Sequence, residues 1–168
     1  MLLVASSLHE LSFPKLMEVY AESNRENGED RYPGESPDRQ LALAEEGFRD
    51  YLSQVFFTTE NARCFILVEA GRYVSALRLE PYEDGLLLEA LETAPEFRRK
   101  GYAAALIEKT QAYLEKQGSI RLYSHVSRNN IASLRAHEKR GFRKILDYGR
   151  YIDGSINRRT VTLLYTTE

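Results

Sequence analysis

The stretch Leu86-Leu87-Leu88-Glu89-Ala90-Leu91-Glu92-Thr93, followed closely by Arg98-Arg99-Lys100-Gly101-Tyr102-Ala103, decides the fold of this chain. The first run has the length and apolar character of a strand. After Gly101, residues recur at helical spacing, and Gly118 stands where a helix would end; the recurring positions are Ala103, Leu106, Ile107, Thr110 and Leu114. The sequence therefore predicts a strand, a cationic turn and a helix, in that order.

This turn has the features of a phosphate-binding site. A helix N-terminus presents unpaired N–H groups and the positive end of the helix dipole, and Gly101 allows an anion to approach the backbone. Arg98, Arg99 and Lys100 add positive charge. A glycine between a strand and a helix also occurs for purely structural reasons. The dinucleotide fingerprint and the P-loop signature are both absent, so the predicted ligand is a polyanion of another kind.

The pattern that remains is R-x-x-G-x-A, formed by Arg98, Gly101 and Ala103. Here the chain resembles the GNAT-type N-acetyltransferases, whose signature Q/R-x-x-G-x-G/A binds the pyrophosphate of acetyl-coenzyme A (acetyl-CoA).

A second motif supports the same resemblance. The segment from Asn130 to Phe142 is similar to the family's later motif, which reads roughly N-x-x-A/S-x-x-x-Y-x-x-x-G-F. Four positions match, namely Asn130, Ser133, Gly141 and Phe142, and the tyrosine position is occupied by His137. The two motifs together span residues 86–142.

Composition agrees with this resemblance. At 168 residues, of which 43 % are hydrophobic, the chain fits one domain over residues 1–168 and is neither disordered nor membrane-embedded. Its one cysteine, Cys64, lies in a strand-like run and has no internal disulfide partner. We therefore expect a reducing compartment and a cytoplasmic location. Neither cysteine nor histidine shows metal-ligand spacing, so no metal is expected.

Charge is divided unevenly along the chain. Residues 1–97 contain 8 basic and 19 acidic side chains, whereas residues 98–150 contain 13 basic and 4 acidic ones. The basic half coincides with the predicted phosphate turn, and coenzyme A carries about four negative charges that such a field would attract. Nucleic acid is the rival partner, but the chain is acidic overall and has no nucleic-acid-binding motif. We expect no nucleic-acid partner and no membrane partner.

The remaining pattern predicts an α/β fold similar to that of the GNAT family. We expect a mixed, mostly antiparallel sheet of about seven strands, flanked by about four helices, with one splayed parallel pair of strands. The predicted elements before the phosphate turn are a helix from Leu8 to Ala21, a loop from Glu22 to Arg39, a helix to about Val55, and strands Arg63 to Val68, Tyr73 to Leu79 and Leu86 to Glu92. Those after it are a strand Ile120 to Val126 parallel to Leu86 to Glu92, a helix Asn130 to Arg140, and a final hairpin of Phe142 to Tyr151 with Arg159 to Thr166 around Asp153-Gly154.

The resemblance implies where the cofactor lies. The pantetheine arm enters the gap between the splayed strands and pairs with the backbone near Leu91 and Thr93. The pyrophosphate is bound by the turn residues Arg98, Arg99, Lys100, Gly101, Tyr102 and Ala103. Asn130 lies near the cofactor arm, or it caps the helix that it begins; Asn129 is an alternative cap.

Catalysis requires a base for the attacking amine and an acid for the departing thiolate. The resemblance suggests His137 as the acid, because it replaces the family's tyrosine; alternatively His137 only packs there, and Tyr102 or another tyrosine is the donor. For the base we predict Glu89, which strand alternation puts on the same face as Leu91 and Thr93, toward the cofactor; alternatively Glu89 is only a residue at a solvated edge of the sheet. Glu92 then points to the opposite face and ranks second. An N–H near Leu91 is expected to stabilise the oxyanion. His125, on the parallel strand, is a possible lining residue of the acceptor pocket.

The acceptor is predicted only as an amine, on a small molecule or a peptide. The N-terminal region is acidic and suits a cationic amine such as a polyamine, an aminoglycoside-like compound or a lysine side chain, although such a run is also typical of a solvated surface. The expected activity is N-acetyl transfer by direct attack in a ternary complex. The alternative is a catalytically inactive acyl-CoA-binding regulatory module. The protein is expected to be a monomer or a homodimer.

Overall fold

The computed structural model describes residues 1–168 and contains one seven-stranded sheet. The strands are β1 (Leu2–Ala5), β2 (Arg63–Glu69), β3 (Arg72–Tyr82), β4 (Gly85–Thr93), β5 (Arg121–Ser127), β6 (Arg143–Leu146) and β9 (Thr160–Thr166), with a separate hairpin of β7 (Gly149–Arg150) and β8 (Ile156–Asn157). Their order in the sheet is β1-β2-β3-β4-β5-β9-β6. Only β4 and β5 pair in parallel, and all other neighbours are antiparallel. The predicted mixed sheet of about seven strands with one parallel pair is therefore confirmed.

Helices cover both faces of the sheet. They are α1 (Phe13–Val19), α2 (Ala21–Arg31), α3 (Pro37–Gln54), α4 (Tyr102–Glu115) and α5 (Ile131–Lys139), together with 3₁₀ turns at Leu8–Glu10, Phe56–Thr58 and Pro95–Phe97. One core cluster joins α1 and α3 to the sheet, as in the contacts of Leu16 and Leu52 with Ile66. The other joins α4 to the opposite face, through residues such as Leu106. These two faces are called the α1–α3 face and the α4 face below.

Helix α4 forms for the reasons that the sequence indicated. Gly101 is its N-cap residue, with a left-handed φ of 79°, a conformation that costs glycine little. The apolar positions of α4 lie on one side, where Leu106 and Ile107 are fully buried. The predicted order of strand, turn and helix is thus confirmed, and it carries the chain from β4 across the α4 face to β5.

The predicted loop from Glu22 to Arg39 is wrong in its first half, because α2 occupies Ala21–Arg31. This helix makes five helices where about four were expected. Only Asn24 and Gly28 are buried in it, so it has no apolar stripe that a periodicity search would detect. Gly28 packs so closely on α3 that an added Cβ would lie 2.5 Å from the backbone oxygen of Gln40. Contact with α3 stabilises α2, and the local pattern does not.

The chain ends differ from the prediction in detail. The first helix is shorter than predicted, and Leu8–Glu10 is a separate 3₁₀ turn. The predicted terminal strand from Phe142 to Tyr151 is divided into β6 and β7, and the turn around Asp153-Gly154 joins β7 to β8. Strand β9 lies between β5 and β6, so β6 forms one edge of the sheet and β1 forms the other. No helix has both the length and the apolar character needed to cross a bilayer.

Candidate active site

Strands β4 and β5 separate part of the way along their length. They pair only at Leu86 with Leu122, Leu87 with Tyr123, and Leu88 with Ser124, although both strands continue for several residues. Beyond the last pair, β4 has no strand neighbour on its β5 side, so backbone N–H and C=O groups along that edge are open to a ligand. This is the splayed parallel pair that the sequence predicted.

A bulge in β4 changes which side chains face which side. Arg78 of β3 pairs with Glu89 and Ala76 pairs with Glu92, so that Ala90 and Leu91 together oppose one residue, and Ala90 has a φ of 51°. Glu89 consequently lies on the α1–α3 face, whereas Leu91 packs against the core of the α4 face. Glu92 shares the face of Glu89. The prediction that Glu89 and Leu91 share a face, with Glu92 opposite, is therefore wrong, because one extra residue inverts the alternation.

Glu89 occupies a half-buried position beside a buried cation. Its Oε1 lies 3.7 Å from Nε of Arg78, and neither of these two atoms has a hydrogen-bond partner. Three aromatic rings surround the guanidinium, those of Phe48, Tyr51 and Phe56. Burial raises the pKa of Glu89 to about 7, against the opposing effect of Arg78 and with a further increase from the neighbouring Glu80. Such a carboxyl group is able to exchange a proton near neutrality.

Glu92 lies at the floor of a cleft of about 420 Å³ between α2, α3 and β4. Burial raises the pKa of its carboxyl group, and the hydroxyl group of the adjacent Ser23 opposes this shift. The walls carry aromatic rings, amide groups and two arginines; they are formed by Tyr20, Asn24, Asn27, Arg31, Ala44, Gly47, Phe48, Tyr51, Arg78 and Ala90. The cleft starts at the β4 bulge, and of the two candidate carboxylates Glu92 lines it. Glu89 directly precedes the bulge, so both carboxylates lie close to the splayed strands.

The predicted phosphate turn is open to a ligand. No heavy atom lies within 4 Å of the position that a Cβ of Gly101 would occupy, and Arg99 before it also has a left-handed φ, of 62°. Lys100 lies over the ring of Phe97, at 5.4 Å from its centre. The first-turn N–H groups of α4, including those of Tyr102 and Ala103, have no intrahelical partners by helix geometry. Backbone donors and mobile cations are therefore together at this point.

Two residues of the turn have other partners. Arg98 donates from Nε to the carbonyl oxygen of Thr93 at 3.2 Å and forms an ion pair with Glu22 of α2. Tyr102 donates its hydroxyl proton to Glu69, which raises the pKa of the phenol. Arg98 thus connects the end of β4 with α2, and the hydroxyl group of Tyr102 is held by a carboxylate of β2.

Helix α5 shows what the second motif does. The side-chain oxygen of Asn130 accepts a hydrogen bond from the N–H of Ser133 at 3.1 Å, so Asn130 is the N-cap. His137 is 1 % exposed; its Nε2 is 2.9 Å from the hydroxyl oxygen of Ser124 and its Nδ1 is 2.8 Å from the carbonyl oxygen of Ser133. Burial lowers its pKa. A neutral, enclosed imidazole with both nitrogens engaged has the geometry of a packing residue, the alternative that the sequence left open.

His125 lies at the opening between β4 and β5 but does not line the cleft that contains Glu92. It follows Ser124, the last β5 residue paired with β4, so it is the first β5 residue at the opening. Its ring makes edge contacts with Tyr82 and Tyr151, and its Nε2 is buried without a hydrogen-bond partner. Burial lowers its pKa, which keeps the ring neutral. The sequence signal for it was only its place on the parallel strand.

A larger cavity lies elsewhere. It measures about 610 Å³ and is bounded by α5, β6 and β9, with Arg128, Leu134, Phe142 and Lys144 among its lining residues. None of its lining residues belongs to β4, to the phosphate turn or to the cleft between α2, α3 and β4. No group of three or more side chains is arranged to hold a metal ion. The candidate active site therefore consists of the splayed strands, the phosphate turn and the cleft between α2, α3 and β4.

Comparison with solved structures reveals the same fold in acetyltransferases. The ribosomal-protein-S18-alanine N-acetyltransferase from Escherichia coli aligns over 99 % of this chain and 94 % of its own, with 20 % identity and a TM-score of 0.61. The PaiA N-acetyltransferase from Thermoplasma acidophilum, in complex with coenzyme A, covers 99 % of both chains with 15 % identity and a TM-score of 0.65. A GNAT family acetyltransferase from Elizabethkingia anophelis with acetyl-CoA bound covers 67 % of this chain and 80 % of its own, at 13 % identity and a TM-score of 0.55.

Sequence comparisons identify the family of this chain but no individual curated relative. A search of curated protein sequences found no significant match. The profile of the family described as "Acetyltransferase (GNAT) family" matches residues 15–142, which include β4, the phosphate turn, α4, β5 and α5. This chain therefore belongs to the GNAT family of acetyltransferases.

Proposed function

We propose that the protein is an N-acetyltransferase that transfers the acetyl group of acetyl-CoA to a primary amine. One observation carries the proposal: the unpaired edge of β4 leads directly into a turn in which Gly101 is left-handed and open, at the N-terminus of α4. An extended pantetheine arm needs such a strand edge, and a pyrophosphate needs such a turn. Family membership supports the same activity.

The residues of the turn fit the acyl donor in different ways. Backbone groups near Leu91 and Thr93 would pair with the pantetheine amides, and the N–H groups of Gly101, Tyr102 and Ala103 would bind the pyrophosphate. Arg99 and Lys100 supply mobile charge. Arg98, which is held by Glu22 and the Thr93 carbonyl, would fix the end of β4 beside the turn. The exposed carboxamide of Asn130 keeps its N–H₂ group available, because the cap uses only its oxygen.

The proposed reaction is direct attack in a ternary complex. Glu89 removes a proton from the ammonium group, and the neutral amine nitrogen attacks the thioester carbon. The N–H of Leu91 stabilises the oxyanion. The carbon–sulfur bond then breaks, and the nitrogen releases its second proton to water as the amide forms. The coenzyme A thiolate takes its proton from protonated Glu89, which restores the carboxylate. His137 has no part in this scheme, because its ring is enclosed and engaged at both nitrogens.

Glu92 is the second candidate for the base. It lines the cleft directly, and burial raises its pKa as well. Glu89 is preferred because it is adjacent to Leu88, where the last pair of β4 with β5 forms, and because its pKa of about 7 matches a base that works near neutrality.

The cleft between α2 and α3 is the proposed acceptor site. The Glu92 carboxylate and the rings of Tyr20 and Phe48 suit an ammonium group. Arg31, the last residue of α2, adds a positive charge to the cleft. The walls of the cleft are therefore less acidic than the surface around them. A primary amine on a small molecule or on a peptide end fits these walls.

The enclosed His137 favours one alternative, a catalytically inactive acyl-CoA-binding module. Where the family motif has a tyrosine, this chain has His137, whose ring is buried and engaged at both nitrogens. Detectable thiol release with any amine excludes this alternative. Tight acetyl-CoA binding without turnover on a broad amine panel would support it.

The test is calorimetric titration of acetyl-CoA into the wild type, Gly101→Glu and Gly154→Glu. Gly154 is the matched control, since its φ of 86° and its open surroundings resemble those of Gly101 but it lies in the β7–β8 turn. We expect micromolar binding that only Gly101→Glu abolishes. A thiol-release assay with spermidine, kanamycin, Nα-acetyl-lysine and an alanine-terminated peptide follows. Absence of binding by the folded wild type would refute the proposal.

A further inference from the structure

The bulge at Ala90 places a non-glycine residue in a left-handed conformation. Its φ is 51°, in the middle of a strand that is otherwise extended. For a residue with a Cβ this conformation is unfavourable, and it persists only where surrounding contacts hold it. The contact that holds Ala90 comes from outside the sheet.

Tyr20 supplies this contact. Its hydroxyl group donates a hydrogen bond to the carbonyl oxygen of Ala90 at 2.7 Å, and the side chain is almost fully buried. Burial raises the pKa of the phenol, so the proton remains available for donation. Tyr20 is itself fixed at the junction of α1 and α2: its N–H donates to the carbonyl oxygen of Leu16, its carbonyl oxygen accepts from the N–H of Asn24, and its ring packs edge-on against Phe48.

Fixing this carbonyl also fixes the next N–H. The peptide group is planar and, here, trans, so the carbonyl of Ala90 and the N–H of Leu91 point in opposite directions. Because the carbonyl is directed to Tyr20 on the α1–α3 face, the N–H of Leu91 is directed away from that face. Leu91 itself packs toward the α4 face, on which the phosphate turn begins.

We propose that Tyr20 is a positioning residue for the oxyanion site. Its hydroxyl group orients the Ala90–Leu91 peptide so that the N–H of Leu91 meets the thioester carbonyl of acetyl-CoA, and this hydroxyl group does not itself touch acetyl-CoA. This inference rests on the proposed function. It also gives the N-terminal helices a role in the chemistry besides shaping the acceptor cleft.

The test compares Tyr20→Phe with Tyr73→Phe. Tyr73 is a buried tyrosine of the same core cluster, and its hydroxyl oxygen accepts one hydrogen bond, from the N–H of Ser12 at 2.9 Å. Each variant therefore loses one hydroxyl group and one hydrogen bond. The ligands are acetyl-CoA and S-ethyl-coenzyme A, a thioether that lacks the carbonyl. Calorimetry with both ligands measures the contribution of that carbonyl and needs no acceptor amine.

The wild type and Tyr73→Phe should both bind acetyl-CoA about fivefold more tightly than the thioether, the effect of one hydrogen bond. In Tyr20→Phe this preference should fall below about twofold, with affinity for the thioether unchanged. A preference that survives in Tyr20→Phe, or that the wild type lacks, would overturn the inference. If the folded wild type binds neither ligand, the proposed function fails as well.

A second measurement uses only the wild type. In ¹⁵N-labelled protein, the amide proton of Leu91 should shift downfield with acetyl-CoA and not with S-ethyl-coenzyme A. Equal shifts with the two ligands would contradict a bond to the carbonyl. In thiol-release assays, Tyr20→Phe should lower kcat about tenfold and leave KM for acetyl-CoA within twofold, whereas an equal loss in Tyr73→Phe would indicate a merely structural role.

Discussion

Glu89 combines two properties that a proton-accepting residue needs. It is half-buried, which raises its pKa to about 7, and it remains accessible next to the point where β4 and β5 separate. Arg78 favours its charged form, whereas desolvation and Glu80 favour its neutral form. Since the raising effects prevail, Glu89 is largely protonated below neutrality and ionised above it.

The rate of acetyl transfer should therefore rise with pH to a plateau above about pH 7, because only ionised Glu89 accepts a proton. Glu89→Gln should lower kcat by about 10²–10³-fold and remove this limb of the profile. Glu80→Gln should keep the plateau and move the limb to lower pH, since a like charge that raises the pKa of Glu89 is lost. Steady-state rates between pH 5.5 and 9 measure both effects. If Glu92→Gln shows the large loss and Glu89→Gln does not, Glu92 is the base.

At the scale of the element, α2 illustrates a helix that depends on its neighbour. Its exposed positions are polar, and Gly28 packs closely against the backbone of Gln40. This contact sets the spacing of α2 and α3, and hence the width of the cleft that begins at the β4 bulge.

Gly28→Ala should destabilise the protein by about 1–2 kcal/mol, because the clash with the Gln40 backbone exceeds the gain in helix propensity. The matched control is Gly47→Ala on α3, where a Cβ meets nothing within 4 Å, so the same propensity gain should raise the melting temperature. Thermal unfolding of the wild type and both variants measures these changes in stability. Gly28→Ala should also raise KM for the amine several-fold and leave acetyl-CoA affinity unchanged. An equally stable Gly28→Ala variant would contradict this account of the α2–α3 contact.

At the scale of the molecule, charge is divided between the two halves of the chain. Residues 1–97, which include α1–α3, have a net charge of −11, and residues 98–150, which include α4 and α5, have a net charge of +9. The sheet lies between the two groups of helices. The excess of basic residues begins at the phosphate turn, where an anionic donor would bind, whereas α4 and α5 themselves contain three basic and three acidic residues.

Acetyl-CoA binding should accordingly weaken about tenfold between 50 and 500 mM NaCl, mainly through slower association, because salt screens the attraction to the basic residues of the segment 98–150. S-acetylpantetheine, which lacks the phosphates, is the control and should bind weakly with little dependence on salt. Stopped-flow binding at several salt concentrations measures both ligands. Acetyl-CoA affinity that does not change with salt would show that the basic residues of this segment do not contribute.

The sequence by itself determined the order of strand, phosphate turn and helix, as well as the family, because short apolar runs and glycine positions are local signals. It also predicted the parallel pair, since the segment between its strands is one helix long. Only the tertiary structure decided the face of Glu89, the helix at Ala21–Arg31 and the burial of His137. Each depends on contacts between distant residues: the pairing of Ala76 and Arg78 defines the bulge, α3 stabilises α2, and Ser124 together with Phe142 encloses the imidazole. Local periodicity contains no information about such contacts, because the free energy that fixes them arises only when the sheet and its two helical layers assemble.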